Sequence, residues 1–525
     1  MEFPAMLPPR FNMARYCLAP AAHRDPAKVA LTVIHDPQEP LQGAARWTFE
    51  ALDAAVRSCA QALREHGFAP GARIALRLGN RPECPIVWFA AMAAGLVGIP
   101  LSSQLTPDEV AFVLTDAEVA ALVTAQDDQA PAGCRRFDLT DVRTWLTVPA
   151  SPADQAYADT AADDPAYLIY TSGTSGQPKG VLHAHRCAWG RRPMYAGWYG
   201  LTATDTMLHA GALNWTYTLG VGLTDPWALG AGAVVYDGPR DPGVWGRIIA
   251  ATSATLFAAV PGIYRQWLRA GIDPADLTTL RHGLTAGEAL APGLYAAWRD
   301  ATGRDLYEAL GMSEISTFIS SAPSVPVRPG SPGKVQEGRR VAILPEAQEG
   351  DDAAAAGGAS ADTTPLPLGE IGVLAVHRSD PGLMLGYWNR PHDHPWRGDW
   401  FVTADAAHLD GDGYIHHHGR VDDILGAGGY RVSPLEVEHV LATHPAVADV
   451  AVTEVEVREG VRIIAAYAVP ADPDAPGGLD AGAVLRYAGE HLAAYKCPKE
   501  LLWIDALPRT ANGKIRRAAL AGRHP

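Results

Sequence analysis

YTSGTSGQPKG, residues 170–180, follows directly on the short apolar run Ala166–Thr171 and decides how the rest of the chain is read. Thr171, Ser172, Gly173, Thr174, Ser175 and Gly176 offer hydroxyls and unhindered backbone N–H groups, and Lys179 adds a positive charge, the combination that polyphosphate requires. The segment is not a Walker loop. That motif needs Gly before its Lys and a hydroxyl after it, whereas Lys179 stands between Pro178 and Gly180. A strand that runs into such a loop predicts a phosphate-binding α/β enzyme outside the P-loop NTPases.

Outward from the loop, helical patterns such as LDAAVRSCAQALREHG alternate with strand-like runs such as RIALRL and AALVTA, and then with TLFAAV (255–260) and YAAWRDAT (295–302). This alternation is an α/β signature. At 525 residues the chain exceeds what one ordinary core supports, which predicts at least two domains. Beyond Arg420 the pattern changes to helix, two strands and helix (PLEVEHVLATH, ADVAVTEVEV, RIIAAYAVP, AGAVLRYAGEHLA), a separate α+β unit of about 100 residues. EAQEGDDAAAAGGASADTTPLP (346–367) is low-complexity and acidic, expected to be a solvated insertion without catalytic role.

Composition narrows the function classes. A formal charge of −15 argues against a general nucleic-acid binder, since that affinity comes from Lys and Arg neutralising phosphates. The six cysteines are scattered and form no CxxC pair, so neither zinc nor a disulfide framework is suggested. The longest apolar run, Ile86–Leu101, has 16 residues, too few to span a bilayer, and is expected to be a buried helix. No secretory pattern opens the chain, so a cytoplasmic location is expected. His416, His417 and His418 are adjacent on a strand, where alternate side chains face opposite ways, so a structural role is expected rather than joint metal binding.

Further motifs follow in order: YEALGMSE (307–314), GDWFVTAD (398–405), GRVDDILGAGGYRVSPLEVE (419–438) and PRTANGKIRR (508–517). With the 170–180 loop, these resemble the acyl-adenylate-forming superfamily of acyl-CoA synthetases, peptide-synthetase adenylation domains and luciferases, over nearly the whole chain. The resemblance implies an α/β fold: a large multi-subdomain N-terminal adenylate-forming domain that binds ATP and acid (1–421), and a small mobile α+β C-terminal domain carrying the catalytic lysine (422–525). It implies an AMP-forming acid–thiol ligase with ATP, Mg²⁺ and coenzyme A as substrates rather than resident cofactors, no nucleic acid, no membrane span, and a homodimer left open.

The residue roles are those the resemblance implies. Glu314 helps hold Mg²⁺ on ATP, and a carboxylate is a suitable hard ligand. Asp405 takes the ribose hydroxyls, with Arg420 steadying the same nucleotide; structural ion pairing is the alternative for both. Gly287, Glu288, Tyr307 and Ser313 complete the nucleotide site. Lys514 is the fixed cation for attack of the carboxylate on the α-phosphate. Asp422 matches the hinge about which the small domain turns between the two steps. Gly428, Gly429 and Arg431 match the thioester-forming loop, where missing Cβ atoms let the pantetheine arm pass close to backbone, although a tight turn explains Gly429 equally. Gly426 and Ala427 replace the longer residues usual there.

For the acid, Asn214 stands where amino-acid-activating domains carry an Asp, which argues against amino acids, and Gly311 stands where acetate-specific members carry a Trp, which argues against acetate. Trp215, Thr216, Tyr217 and Met312 are candidates to line a larger pocket, with buried core aromatics as the alternative. SEISTF and PGLMLGYWNRP (381–391) are similar to benzoate-type and medium-chain CoA ligases. Aromatic and short- or medium-chain acids both stay open, as does an acyl-AMP ligase that delivers to a carrier protein.

Overall fold

The structure, a computed structural model, describes residues 6–152, 155–171, 178–239, 241–346, 362–390, 395–421, 425–427, 430–458, 461–473, 479–509 and 515–522. Its largest sheet has fourteen strands, of which six run parallel in the order Val29–Ile34, Gly232–Tyr236, Thr206–His209, Leu256–Ala259, His282–Ala286 and Leu306–Met312. These are short, nearly all buried runs, as expected of strands covered on both faces. From Leu306–Met312 onward the pairing turns antiparallel, through Ser316–Ser320 and Gly333–Val335 to the hairpin Tyr414–Arg420 and Trp400–Leu409. In open α/β sheets ligands collect outside the carboxyl ends of the parallel strands. Here those ends deliver Asn214, Gly287 and Ser313–Glu314 to one cleft.

A seven-stranded sheet carries the 170–180 segment. Pro165–Thr171 lies parallel to Val97–Pro100 and antiparallel to Lys179–Ala184, with Thr171 opposite Lys179 and Tyr170 opposite Gly180. The phosphate-loop candidate thus bridges a hairpin, whereas a Walker loop bridges a strand and a helix. Helix Phe49–Glu65 packs against this part of the molecule. Thr48 caps it by accepting the Ala51 N–H, and Phe49, Leu52, Val56, Cys59 and Leu63 form its buried stripe at helical spacing. Each large side chain of that kind stabilises the fold by about 1.5–3 kcal/mol.

The expectation for Ile86–Leu101 needs correction. The run is buried, but it divides into helix Glu83–Ala93 and strand Val97–Pro100. Gly95 breaks it, taking a φ of +76° that L side chains rarely adopt, and both halves are apolar because both are covered on all sides.

Residues from Leu425 onward have a core of their own. Val447–Arg458 pairs antiparallel with Val461–Pro470, which pairs parallel with Glu500–Trp503, and helices Pro434–Leu441 and Ala481–His491 cover the sheet. Helix, strands and second helix fall where the sequence patterns place them. Among the described residues no helix is long and apolar enough to cross a membrane.

Candidate active site

A cleft of about 2320 Å³ opens between the two regions, lined by Lys179, Asn214, Glu288, Glu314, Asp405 and Arg420 from the large one and by Leu435, His439, Arg509 and Ile515 from the small one. The sequence motifs lie hundreds of residues apart, and the sheet topology brings them together.

At the phosphate-loop end, Lys179 holds its ammonium 5.4 Å from the centroid of the Tyr387 ring, and the Tyr387 hydroxyl donates to Glu314 Oε1 at 2.6 Å. Tyr387 is therefore a link between the loop lysine and the metal-ligand candidate. It arrives on the two-residue strand Gly386–Tyr387, which pairs with Lys179–Ala184. The Glu314 backbone is fixed as well, because its carbonyl accepts the Met384 N–H at 2.7 Å. One residue earlier, the Ser313 carbonyl lies 2.7 Å from His183 Nε2, and burial pushes that imidazole down to about 4, keeping it neutral. Tyr170 lines the cleft, its hydroxyl donating to Asp116 Oδ2 at 2.5 Å.

Asp405 and Arg420 sit directly across from each other on the antiparallel hairpin, and both line the cleft. Asp405 is buried, and His417 Nε2 lies 3.1 Å from its Oδ1. His417 faces the cleft while its neighbours His416 and His418 face away, where His408 Nδ1 lies 2.8 Å from His418 Nε2. That alternation is the strand periodicity expected of the three histidines.

Gly287 and Glu288 also reach the cleft. Gly287 has φ +94°, and a Cβ there would stand 3.1 Å from the Trp215 ring, so both backbone and packing require glycine. The Glu288 carboxylate is taken by two arginines: Arg509 Nη1 donates to Oε1 at 2.5 Å, and Arg265 Nη2 lies 3.5 Å from Oε2.

Several sequence assignments do not meet the cleft. Tyr307 is buried away from it, its ring edge-on to His282 and its hydroxyl donating to Asp305 Oδ2 at 3.3 Å. Leu310, Gly311, Met312 and Ser313, further along the same strand, line the cleft instead. Glu308, the next residue of the strand, lines the cleft as well, so Tyr307 misses it because alternate side chains face opposite sides of the sheet. Of the acid-pocket candidates, Asn214, Gly311 and Met312 line the cleft, whereas Trp215, Thr216 and Tyr217 stand behind it. Trp215 covers Gly287, Thr216 borders a separate small cavity beside Arg191 and Ser316, and Tyr217 is core, its hydroxyl 3.4 Å from the Ala259 and Leu284 carbonyls. The Asn80 side chain holds the loop before them, donating to the Gly211 and Tyr236 carbonyls and accepting the Leu213 N–H.

Ser172, Gly173, Thr174, Ser175, Gly176, Asp422, Gly428, Gly429 and Lys514 lie outside the described residues, as does the Arg431 side chain. Ile515, the residue after Lys514, lines the cleft. Tyr387, Arg509 and Asn80 were not singled out from the sequence, and His417 was read there only as structural. Tyr387 and Arg509 lie inside quoted motifs, but nothing in residue type or spacing tells their partners.

Residues 18–388 match the family of AMP-binding enzymes, and residues 436–514 match the AMP-binding enzyme C-terminal domain. The chain belongs to the AMP-binding enzyme family, with its large α/β domain and small C-terminal domain. Within it, the chain is an AMP-forming acid–CoA ligase family member. It is 31% identical over 495 residues to a 3-hydroxybenzoate–CoA ligase of Aromatoleum sp. (strain CIB), covering 91% of this chain and 92% of that one. It is 30% identical over 508 residues to the mitochondrial acyl-coenzyme A synthetase ACSM5 of Mus musculus, covering 90% of this chain and 84% of that one. In three dimensions it is similar to the anthranilate CoA ligase AuaEII in complex with anthranoyl-AMP, with a TM-score of 0.85, 27% identity and 98% of each chain covered.

Proposed function

We propose that this enzyme converts an aromatic, benzoate-like acid to its CoA thioester through an enzyme-bound acyl-AMP. The carrying observation is the convergence of Lys179, Tyr387, Glu314, Asp405 and Arg420 on one cleft whose remaining wall, ending at Ile515, comes from the small domain. An aromatic acid rather than an aliphatic one is favoured by the 3-hydroxybenzoate–CoA ligase and anthranilate CoA ligase likenesses.

In the first step a carboxylate oxygen attacks the α-phosphorus of ATP and pyrophosphate leaves. Negative charge is then shared among oxygens of both groups, and cations fixed beforehand stabilise that arrangement most in a site with little water. Lys514 supplies one such charge, and Lys179, steadied over the Tyr387 ring, supplies another toward the phosphates. Glu314 fits the Mg²⁺ that ATP brings: Oε1 accepts from Tyr387, which orients the carboxylate, and Oε2 has no hydrogen-bond donor among the described residues. Asp405 offers its acceptors to the ribose diol with His417 holding one oxygen in place. In the second step the CoA thiolate attacks the now neutral carbonyl carbon, and AMP departs with the oxygen that came from the acid. Gly428, Gly429 and Arg431 line the thiol's approach after the small domain turns at Asp422.

The test is a thioester assay with ATP, Mg²⁺ and CoA across benzoate, hydroxybenzoates, aminobenzoates and straight-chain acids. AMP and an aroyl-CoA are the expected products. Thioester formed faster from straight-chain acids would reassign the substrate, and no thioester from any acid would overturn the ligase reading.

A further inference from the structure

We infer that Arg509 and Glu288 form an interdomain latch that holds the flanks of residues 510–514 against the large domain, making both positioning residues for adenylation. The inference rests on the two-step reading above and adds what decides when its first step is set up.

Arg509 directly precedes residues 510–514, which include Lys514. Its backbone bridges antiparallel to Ile515, and Arg516 N–H donates to the Pro508 carbonyl at 2.8 Å, so the two flanks of residues 510–514 are tied together. Its guanidinium then spans the two regions. Nη2 donates to Asp449 Oδ2 at 2.8 Å, on the small-domain strand Val447–Arg458, and Nη1 donates to Glu288 Oε1 at 2.5 Å, on the loop that follows the large-domain strand His282–Ala286. Asp449 fixes Arg509 to its own domain, and Glu288 fixes it to the other. The planar fork of arginine suits two carboxylates at once, as a lysine would not.

The pair is shielded: the Arg509 and Glu288 side chains are 24% and 16% exposed. Burial pushes the Glu288 carboxyl up, and Arg509 and Arg265 pull it back down. Without Arg509 the carboxylate keeps only Arg265, at 3.5 Å, beyond hydrogen-bond length. Removing one partner of a shielded pair leaves the other poorly compensated, so the contact carries free energy that exists only while the small domain sits in this orientation. An interaction made in one of two arrangements shifts the population toward that one and away from the other. The latch therefore favours adenylation and must open before the small domain turns for thioester formation.

Glu288→Gln, Arg509→Gln and the double variant test this in the full chain. Two half-reactions are measured: acid-dependent exchange of pyrophosphate into ATP, and thioester formation from supplied aroyl-AMP and CoA. Each single variant is expected to lower the ratio of the first rate to the second about tenfold, and the double variant to lower it no further than the worse single. Hydrogen–deuterium exchange supplies a readout that needs no activity. In Glu288→Gln the peptide over residues 503–517 should exchange faster although the substitution lies in the other domain. Equal loss in both half-reactions, multiplying losses in the double variant, or unchanged exchange in that peptide would each overturn the latch. A wild-type enzyme inactive on every acid would sink the ligase reading instead, and the exchange experiment would still decide the latch.

Discussion

The two ends of the cleft are built by different means. The end proposed for the nucleotide is lined by the charged groups Lys179, Glu314, Asp405, Arg420 and Glu288, three of which are held by a named partner: Glu314 by Tyr387, Asp405 by His417 and Glu288 by Arg509. The acid end uses shape. Behind the cleft wall Trp215 packs on Gly287 and Tyr217 is locked in the core, and at Gly311 a Cβ would stand 2.5 Å from the Ser316 carbonyl oxygen, so the strand pairing there requires glycine. Phosphate and ribose demand particular atoms, since a buried charge without its partner is expensive, whereas an aromatic ring asks only for a slot of the right volume. Substitutions at the first end should therefore change whether the reaction runs, and those at the second which acid it runs on.

The sharpest division is expected at Lys514. Lys514→Ala should lower acid-dependent pyrophosphate exchange by about a thousandfold while supplied aroyl-AMP still becomes thioester; equal loss of both would erase the distinction between the two steps. The mirror case is Gly429→Leu, expected to spare exchange and block transfer to CoA, and unchanged thioester synthesis would remove Gly429 from the path of the thiol. Next comes Asp405→Ala, for which the KM for ATP should rise by about tenfold or more with little change in the KM for the acid. A rise in the acid KM alone would place Asp405 at the wrong end. At the acid end, Gly311→Ala forces the Ser316–Ser320 strand to shift, so turnover of bulky acids should fall several-fold relative to small ones. A uniform loss for all acids would deny Gly311 a part in selection.

The smallest change in activity is expected at Glu308, where the readout is stability. Burial pushes this carboxyl up to about 8, with the Leu290 N–H pulling it partly back. A folded-state value above the unfolded one means that its contribution is complete below about pH 4 and is lost as pH rises through 8. The wild-type melting temperature should drop between pH 5 and 9 more steeply than that of Glu308→Gln, whose amide keeps the acceptor for Leu290 and never ionises. Parallel curves would contradict the shift.

The same contrast explains what the sequence told. Lys179, Glu314, Asp405 and Arg420 each sit in a motif and all line one cleft, and the strand-to-loop junction at Thr171 lies in the seven-stranded sheet that carries Lys179. For Trp215 and Tyr217, pocket lining and core were both open, since aromatic residues fill either; they and Thr216 stand behind the cleft, on a loop that Asn80 pins through the Leu213 N–H, 133 residues away. Tyr307 lies in a motif whose next residue, Glu308, lines the cleft, while its own side chain is buried beside His282; which face of the strand meets the opening follows from the sheet, and one sequence does not reveal it. The break of Ile86–Leu101 at Gly95 was within reach, since Gly followed by a β-branched run is a turn and strand signal that uniform hydrophobicity masked.

The central claim, that the acid is activated as an adenylate before the thiol attacks, is tested most directly by oxygen tracing. Benzoate labelled with ¹⁸O in its carboxylate is turned over with ATP, Mg²⁺ and CoA, and the AMP is weighed by mass spectrometry. One labelled oxygen per AMP is the predicted result, because the oxygen that attacks the α-phosphorus leaves with it. Unlabelled AMP accompanying benzoyl-CoA would contradict the account.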